Sequence, residues 1–288
     1  MSGFSADWLA LREPADHRAR NAEVQSALAA RLAMRPSVRV IDLGSGTGSN
    51  LRATSRLLPA RQSWTLVDHD AALLRAAREV LATWADSAVP DDGGGLRLTH
   101  EGRDITVAFK VADLESELED VIAAGADLVT AAALFDLASP AFIARTVKAV
   151  AAQGAMFYTA LTYNGRQLWQ PRHPLDSQMT AAFNRHQMTD KGFGASAGPT
   201  APIELGEQFQ LAGYGVIEGD SPWLLAAPRD RTLLAELVAG HAQAVGETGV
   251  VARGDIDRWA ALERKAADIG HVDTFAFPAS DARDWPVE

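Results

Sequence analysis

The chain has no cysteine among its 288 residues. This excludes disulfides, a thiol nucleophile and any cysteine-ligated zinc site, and it fits a reducing, cytoplasmic location. Positive charge is also scarce: 27 Lys and Arg against 37 Asp and Glu leave a net charge of −10. A general nucleic-acid binder needs a basic face, so no nucleic-acid partner is expected. No apolar run approaches the ~20 residues that span a bilayer, and no membrane partner is expected. The first residues, MSGFSADWLALREPADHRARN, mix acids and bases where a signal peptide has an apolar core. What is present is ample core material, 47% hydrophobic, in a length that suits one large domain or two small ones. There is no internal repeat and no clean linker, so residues 1–288 read as a single domain; oligomeric state is not legible.

The stretch Val38–Asn50, VRVIDLGSGTGSN, organises the rest. Val38, Val40, Ile41 and Leu43 read as a short buried strand, suited to β-branched side chains. Gly44, Gly46 and Gly48 follow at every second position, and Ser49-Asn50-Leu51 opens a helical pattern. Glycines let the backbone approach a ligand, and a helix start offers unpaired N–H groups. The dinucleotide fingerprint GxGxxG fails, because its last glycine falls on Ser49. A phosphate-cradling P-loop fails too, since no lysine lies between Val38 and Leu58.

Along the chain, strands and helices alternate. Pro14 reads as a helix start, with the helix running from Ala15 to Met34. Strands are predicted at 64–67, 96–100, 105–111, 127–134 and 155–163, the second and third forming a hairpin. Asp70 and Ser139 read as helix caps, the latter before Pro140. Such an alternation predicts a parallel sheet covered on both faces, with ligands at the carboxyl ends of the strands. Asp42, Asp68, Asp113, Phe135 and Tyr163 fall at or near those ends. Asp68 lies 20 positions after Gly48, at the end of the second strand, where a carboxylate can accept from both hydroxyls of a ribose. The alternative for Asp68 is a second solvated acid beside the Asp70 cap.

Asp42-x-Gly44-x-Gly46-x-Gly48 resembles the first motif of the class I S-adenosylmethionine-dependent methyltransferases. The resemblance covers roughly the first half of the chain. It implies an α/β, doubly wound, seven-stranded, mostly parallel sheet (the Rossmann-like methyltransferase fold) with an embedded helical cap. It also implies S-adenosylmethionine as cofactor and S-adenosylhomocysteine as product. Gly44, Ser45, Gly46 and Gly48 would cradle the methionine and ribose portion, with Asp42 near the turn and Asp68, beside His69, on the ribose. Asp113 matches the acid that faces the adenine amino group in this family, with Leu114 against the ring; the alternative is a helix cap. The family places cofactor- and substrate-facing groups where Phe135-Asp136-Leu137 stands, and core packing is the other reading of Phe135. Trp8 and Arg12 are candidates for closing the site from the N-terminal helix, against an anchoring Trp and a surface Arg. The last of the seven strands, 271–277, would run antiparallel, beside a sixth at 214–217.

Residues 164–202 lose periodicity and read as an ordered lid after the fifth strand. They hold Arg166, Arg172, Arg185 and Lys191 against Asp176 and Asp190, which suggests an anionic small-molecule acceptor met by Tyr163, Asn164, His173, His186 and Lys191. His186 is the candidate base, since imidazole titrates near neutrality. His173, Asp176, His186 and Asp190 show no recognised zinc spacing, so no metal is expected. Helices at 232–245 and 255–269, the second striped by Ile256, Trp259, Leu262 and Ile269, read as a cap over 228–270. The expected function is methyl transfer to a small molecule by in-line displacement. Alternatives are a protein or peptide methyltransferase, a non-catalytic S-adenosylmethionine-binding module and, last, a nicotinamide dehydrogenase.

Overall fold

A computed structural model of the chain describes residues 4–279, so the outermost ends of the expected domain lie outside the described residues. Ten helices and ten strands follow one another as α1 (Ala6–Ala19), α2 (Ala22–Leu32), β1 (Val38–Leu43), α3 (Ser49–Thr54), β2 (Arg61–Asp68), α4 (Ala71–Trp84), β3 (Ser87–Pro90), β4 (Leu96–His100), β5 (Arg103–Val111), α5 (Leu114–Ala123), β6 (Leu128–Ala132), α6 (Pro140–Ala152), β7 (Met156–Gln170), α7 (Asp176–Gln187), α8 (Ala201–Leu211), β8 (Tyr214–Asp220), β9 (Trp223–Ala226), α9 (Arg231–Thr248), α10 (Arg253–Ala260) and β10 (Ala266–Pro278).

The strands join one sheet in the order β3-β4-β5-β2-β1-β6-β7-β10-β8, with β9 also on β10. The five strands β5, β2, β1, β6 and β7 pair parallel, while both edges are antiparallel. From β1 the chain goes to β2 on one side and later to β6 on the other, so strand order reverses beside the glycine turn. Such a switch point opens a crevice at the strand ends.

Alternation along β1 sends side chains to two cores. Val38 and Val40 join Trp64, Leu66 and the inner faces of α2 and α4 (Leu28, Leu32, Leu74, Leu81). Ile41 and Leu43 join Val67 and the faces of α5, α6 and α8 (Leu118, Phe142, Phe209). Both faces of the sheet are therefore covered, as the continuous apolar reading of β1 requires.

Several expectations need correction. The sheet has ten strands, not seven: the expected seven are present, β4 is the first arm of the expected hairpin, and β3 and β9 extend them. Ser87–Pro90 is too short and exposed to carry a pattern, yet it pairs with β4. Pro14 sits inside α1, not at its start, and the helix break comes at Arg20, where Asn21 caps α2 through the N–H groups of Glu23 and Val24. The irregular segment expected from 164 begins as strand, because β7 continues to Gln170 in register with β10. α10 ends at Ala260, and Ile269, counted in a helical stripe, is buried on β10. Apolar residues at 267 and 269 fit a period of two as well as a helix, and pairing with β7 and β9 decides it.

Candidate functional site

Gly44, Gly46 and Gly48 all have left-handed backbones, with φ of 63°, 53° and 75°. That conformation is close to glycine's alone. A Cβ on Gly46 would also stand 3.0 Å from Leu9 of α1, so the N-terminal helix lies directly on the turn. α1 is fixed there by polar contacts. His17 Nε2 lies 3.0 Å from Ser49 Oγ, and Arg52 pairs with Glu13 at 2.5 Å while donating to the Thr47 carbonyl.

Asp68 ends β2 with its carboxylate facing the turn: the Gly46 N–H donates to Oδ2 at 2.8 Å, and the Asp70 N–H donates to Oδ1 at 2.9 Å. Each oxygen keeps a further lone pair. His69 is exposed, its Nδ1 3.3 Å from Asp68 Oδ1. Asp42 is wholly buried. Asn50 donates to its Oδ1 at 2.7 Å, and its Oδ2 has no partner. Burial pushes the Asp42 carboxyl up to about 7, against the Asn50 hydrogen bond and the Arg20 charge, while Asp68 nearby raises it further. Ser45 Oγ is likewise buried and unpartnered. Unpaired buried polar groups are costly, and two beside one glycine turn point to a ligand that pairs them.

Asp113 caps α5, accepting from the Glu115 N–H while its own N–H donates to Glu117. Leu114 is buried. Phe135 is buried in the core, edge-on to Phe157 at 5.3 Å. Trp8 is half-buried against the core on the α2 side. Arg12 bonds Asp16 and lies 5.1 Å over Trp223.

Among the residues expected to meet an acceptor, Tyr163 accepts from Gln167 at 2.6 Å and donates to Asn184 at 2.7 Å, so β7 and α7 lock its hydroxyl. Asn164 turns back on its own strand, accepting from the Arg166 N–H. His173 is spent on a turn, where its Nδ1 accepts from Leu175. His186 bonds Glu247 at 2.9 Å, with Lys191 3.3 Å from its Nδ1. Arg166 pairs with Asp268. These contacts tie the segment after residue 164 to α9 and to β10, not to the glycine turn. Among the described residues no three His, Asp or Glu side chains gather as a metal site.

The sequence places Asp136 only within the Phe135-Asp136-Leu137 segment and gives it no role of its own. Asp136 follows β6 in a short turn, buried, with Oδ1 unpartnered. Burial pushes it up to about 6, opposed by its own backbone N–H, the Arg12 charge and the Tyr163 backbone. The readable signal was an acid between two hydrophobic residues at a strand end. Beside it the backbone is strained: Ala133 and Leu161 have φ of 51° and 61°. Leu161 forms a bulge opposite Asp273, whose Oδ1 accepts its N–H at 2.9 Å. Strain of this kind collects at functional sites.

The strand order and the turn at its reversal now stand together. The chain has the class I methyltransferase fold. The cyclopropane-fatty-acyl-phospholipid synthase-like protein of Lactobacillus casei ATCC 334 matches 96% of this chain and 95% of its own, at 17% identity and a TM-score of 0.52. The cyclopropane synthase MmaA2 of Mycobacterium tuberculosis matches 95% and 94%, at 12% identity and 0.49. A methyltransferase from Thiobacillus denitrificans in complex with S-adenosyl-L-homocysteine matches 94% and 98%, at 16% identity and 0.43. No sequence model of a known protein family matches, and no curated protein does. Within the methyltransferase fold, β5, β2, β1, β6, β7, β10 and β8 supply the seven strands, and β3, β4 and β9 are additions of this chain.

Proposed function

We propose that the protein transfers a methyl group from S-adenosylmethionine to a small molecule. The observation that carries this reading is the convergence at the carboxyl ends of β1 and β2: three left-handed glycines, the Asp68 carboxylate facing them, and the orphaned Asp42 Oδ2 and Ser45 Oγ. These residues fit an adenosyl cofactor. Gly44 to Gly48 give a backbone surface without side chains, and Asp68 keeps lone pairs for ribose hydroxyls. Asp42 supplies an unpaired carboxylate oxygen for a cationic group, and Asp113 and Leu114 stand after β5 for the base.

When bound, the sulfonium supplies an already electrophilic methyl group, so the protein's work is alignment and exclusion of water. α1 performs the exclusion through Leu9, Glu13 and His17. The lid and the helices α9 and α10 enclose a small acceptor in this reading. Of the positive groups expected to meet an anionic acceptor, Arg166 is paired with Asp268, while Lys191 lies 3.3 Å from His186 Nδ1, a contact that leaves its charge in place.

Calorimetric titration with S-adenosylmethionine, S-adenosylhomocysteine and NAD tests the proposal. Micromolar binding of both adenosyl compounds and none of NAD is expected; NAD binding alone would overturn it.

A further inference from the structure

Asn50 has two unlike ends, a carbonyl oxygen with two lone pairs and an amide with two N–H groups. All of this capacity is engaged. Its Oδ1 accepts from Arg20 Nη1 at 2.9 Å and from the Thr54 hydroxyl at 3.2 Å. Its Nδ2 donates to Asp42 Oδ1 at 2.7 Å and to the Thr130 hydroxyl at 3.0 Å. Arg20, Asp42, Asn50, Thr54 and Thr130 are all buried, brought together from the end of α1, from α3, and from the neighbouring strands β1 and β6.

Only one member of this cluster dictates which way the amide points. The two hydroxyls donate or accept, so they allow either orientation of Asn50. A guanidinium only donates, so Arg20 requires the oxygen, and the N–H groups must face Asp42. With the amide reversed, its oxygen would stand against the Asp42 carboxylate, an arrangement that holds only if Asp42 keeps a proton. Arg20 is itself held from its other side by Tyr158, whose hydroxyl lies 3.4 Å from Arg20 Nη1 and 3.4 Å from Asp273 Oδ2.

We propose that Arg20 is a positioning residue for the cofactor: by fixing the Asn50 amide it keeps Asp42 a hydrogen-bond acceptor, and the free Asp42 Oδ2 takes the ammonium of the methionine portion. This rests on the methyl-transfer reading and names the cofactor group that Asp42 receives. Asp42 stands two residues before the first left-handed glycine, and its Oδ2 has no partner. An ammonium has donors only, so it meets the ionised carboxylate and not the acid. The charged groups facing Asp42 are Arg20 and Asp68. Burial and the Asp68 charge favour its neutral form, while the Asn50 hydrogen bond and the Arg20 charge oppose them. Both opposing effects depend on Arg20. Because Arg20 ends α1, the helix laid on the glycine turn, the seating of α1 and the charge of Asp42 are linked through one side chain.

The test uses the full chain as wild type, Arg20→Gln and Arg20→Lys. Glutamine offers an oxygen as well as N–H groups and no longer dictates the amide, whereas lysine keeps a cation that only donates. Carbon-13 NMR of the Asp42 carboxyl, with no ligand, should titrate near 7 in the wild type, at about 8 or above in Arg20→Gln, and nearer the wild type in Arg20→Lys. Calorimetry then follows S-adenosylhomocysteine from pH 6 to 8. Wild-type affinity should rise about tenfold over that range, and Arg20→Gln should bind about fivefold weaker at pH 7 and still be climbing at pH 8. The probe 5′-methylthioadenosine, which lacks the ammonium, should bind alike at every pH and in all three proteins. An unmoved Asp42 midpoint in Arg20→Gln, or a loss of affinity equal at every pH, would overturn the assignment. So would a wild-type affinity that ignores pH, which decides the matter even where Arg20→Gln does not fold. Absence of S-adenosylhomocysteine binding by the wild type would instead overturn the methyl-transfer reading, while the carboxyl titration still decides what Arg20 does to Asp42.

Discussion

Arg20 and Asp42 meet across a single side chain, Asn50. The Arg20 guanidinium donates to Asn50 Oδ1 at 2.9 Å, and Asn50 Nδ2 donates to Asp42 Oδ1 at 2.7 Å. Arg20 also reaches Tyr158, whose hydroxyl faces Asp273. A buried polar path thus runs from the glycine turn to the bulge at Leu161. All three charged groups on it are buried, so their protonation is bound to folding.

Asp42 carries the first prediction. Its folded carboxyl stands at about 7, above its ordinary 3.8. The folded protein therefore holds a proton that the unfolded chain has lost between those values. The stability from that proton is complete below about 4 and is lost as pH rises through about 7, by at most roughly 4 kcal/mol at ~1.4 kcal/mol per unit. Asp42→Asn should flatten this decline. Urea unfolding of both proteins from pH 4 to 8 measures it, and parallel curves would show that Asp42 does not titrate there.

Asp68→Ala removes the acceptor for the Gly46 and Asp70 N–H groups as well as the proposed ribose contact. Cofactor affinity should fall by ~1–3 kcal/mol, the loss for hydrogen bonds to a charged group. Calorimetry with S-adenosylhomocysteine reads this directly. An unchanged affinity would remove the ribose assignment.

Gly46→Ala meets two obstacles: a φ of 53° and Leu9 at 3.0 Å from the new Cβ. The expected cost is ~1–2 kcal/mol from the backbone alone. Adding Leu9→Ala relieves the contact but not the dihedral, so the double variant should recover only part of the thermal stability relative to Leu9→Ala alone. Full recovery would assign the whole cost to packing.

The first half of the chain was legible because its signals are local. The glycine spacing, the acid ending β2 and the Ser139-Pro140 cap each depend on neighbours a few residues away. The second half was not, for physical reasons that differ by segment. Asn164–Gln170 reads as loop until β10, about a hundred residues later, supplies its partner. Ile269 satisfied two periods at once, and only pairing chose between them. The charges of the lid looked available in sequence, yet Arg166 is paired with Asp268. Asp136 stood out from Phe135 and Leu137 only once its burial and its missing partner were visible.

His186, the base suggested by residue type, gives a discriminating variant. Its ring is held by Glu247 and Lys191, and no contact joins it to the glycine turn or to Asp136. His186→Gln should leave methyl transfer within about threefold of wild type, since it removes no group from the reacting atoms. A loss of about a hundredfold or more, the size of a missing general base, would return His186 to the chemistry.

His241 sets the behaviour in acid. It is buried in α9, stacked on Phe183 at 3.8 Å and edge-on to Trp169, with Nδ1 near the Leu237 carbonyl and Nε2 unpartnered. Burial lowers it from 6.5 to about 4. The unfolded chain therefore binds a proton that the folded protein refuses between those values. Stability is full above about 6.5 and falls as pH drops toward about 4, the opposite slope to Asp42. His241→Leu removes the ionisable ring and keeps an apolar side chain between Phe183 and Trp169. The midpoint of thermal unfolding should then fall less steeply between pH 6.5 and 4 than in the wild type. An identical acid limb would mean that other groups, His271 among them, account for it.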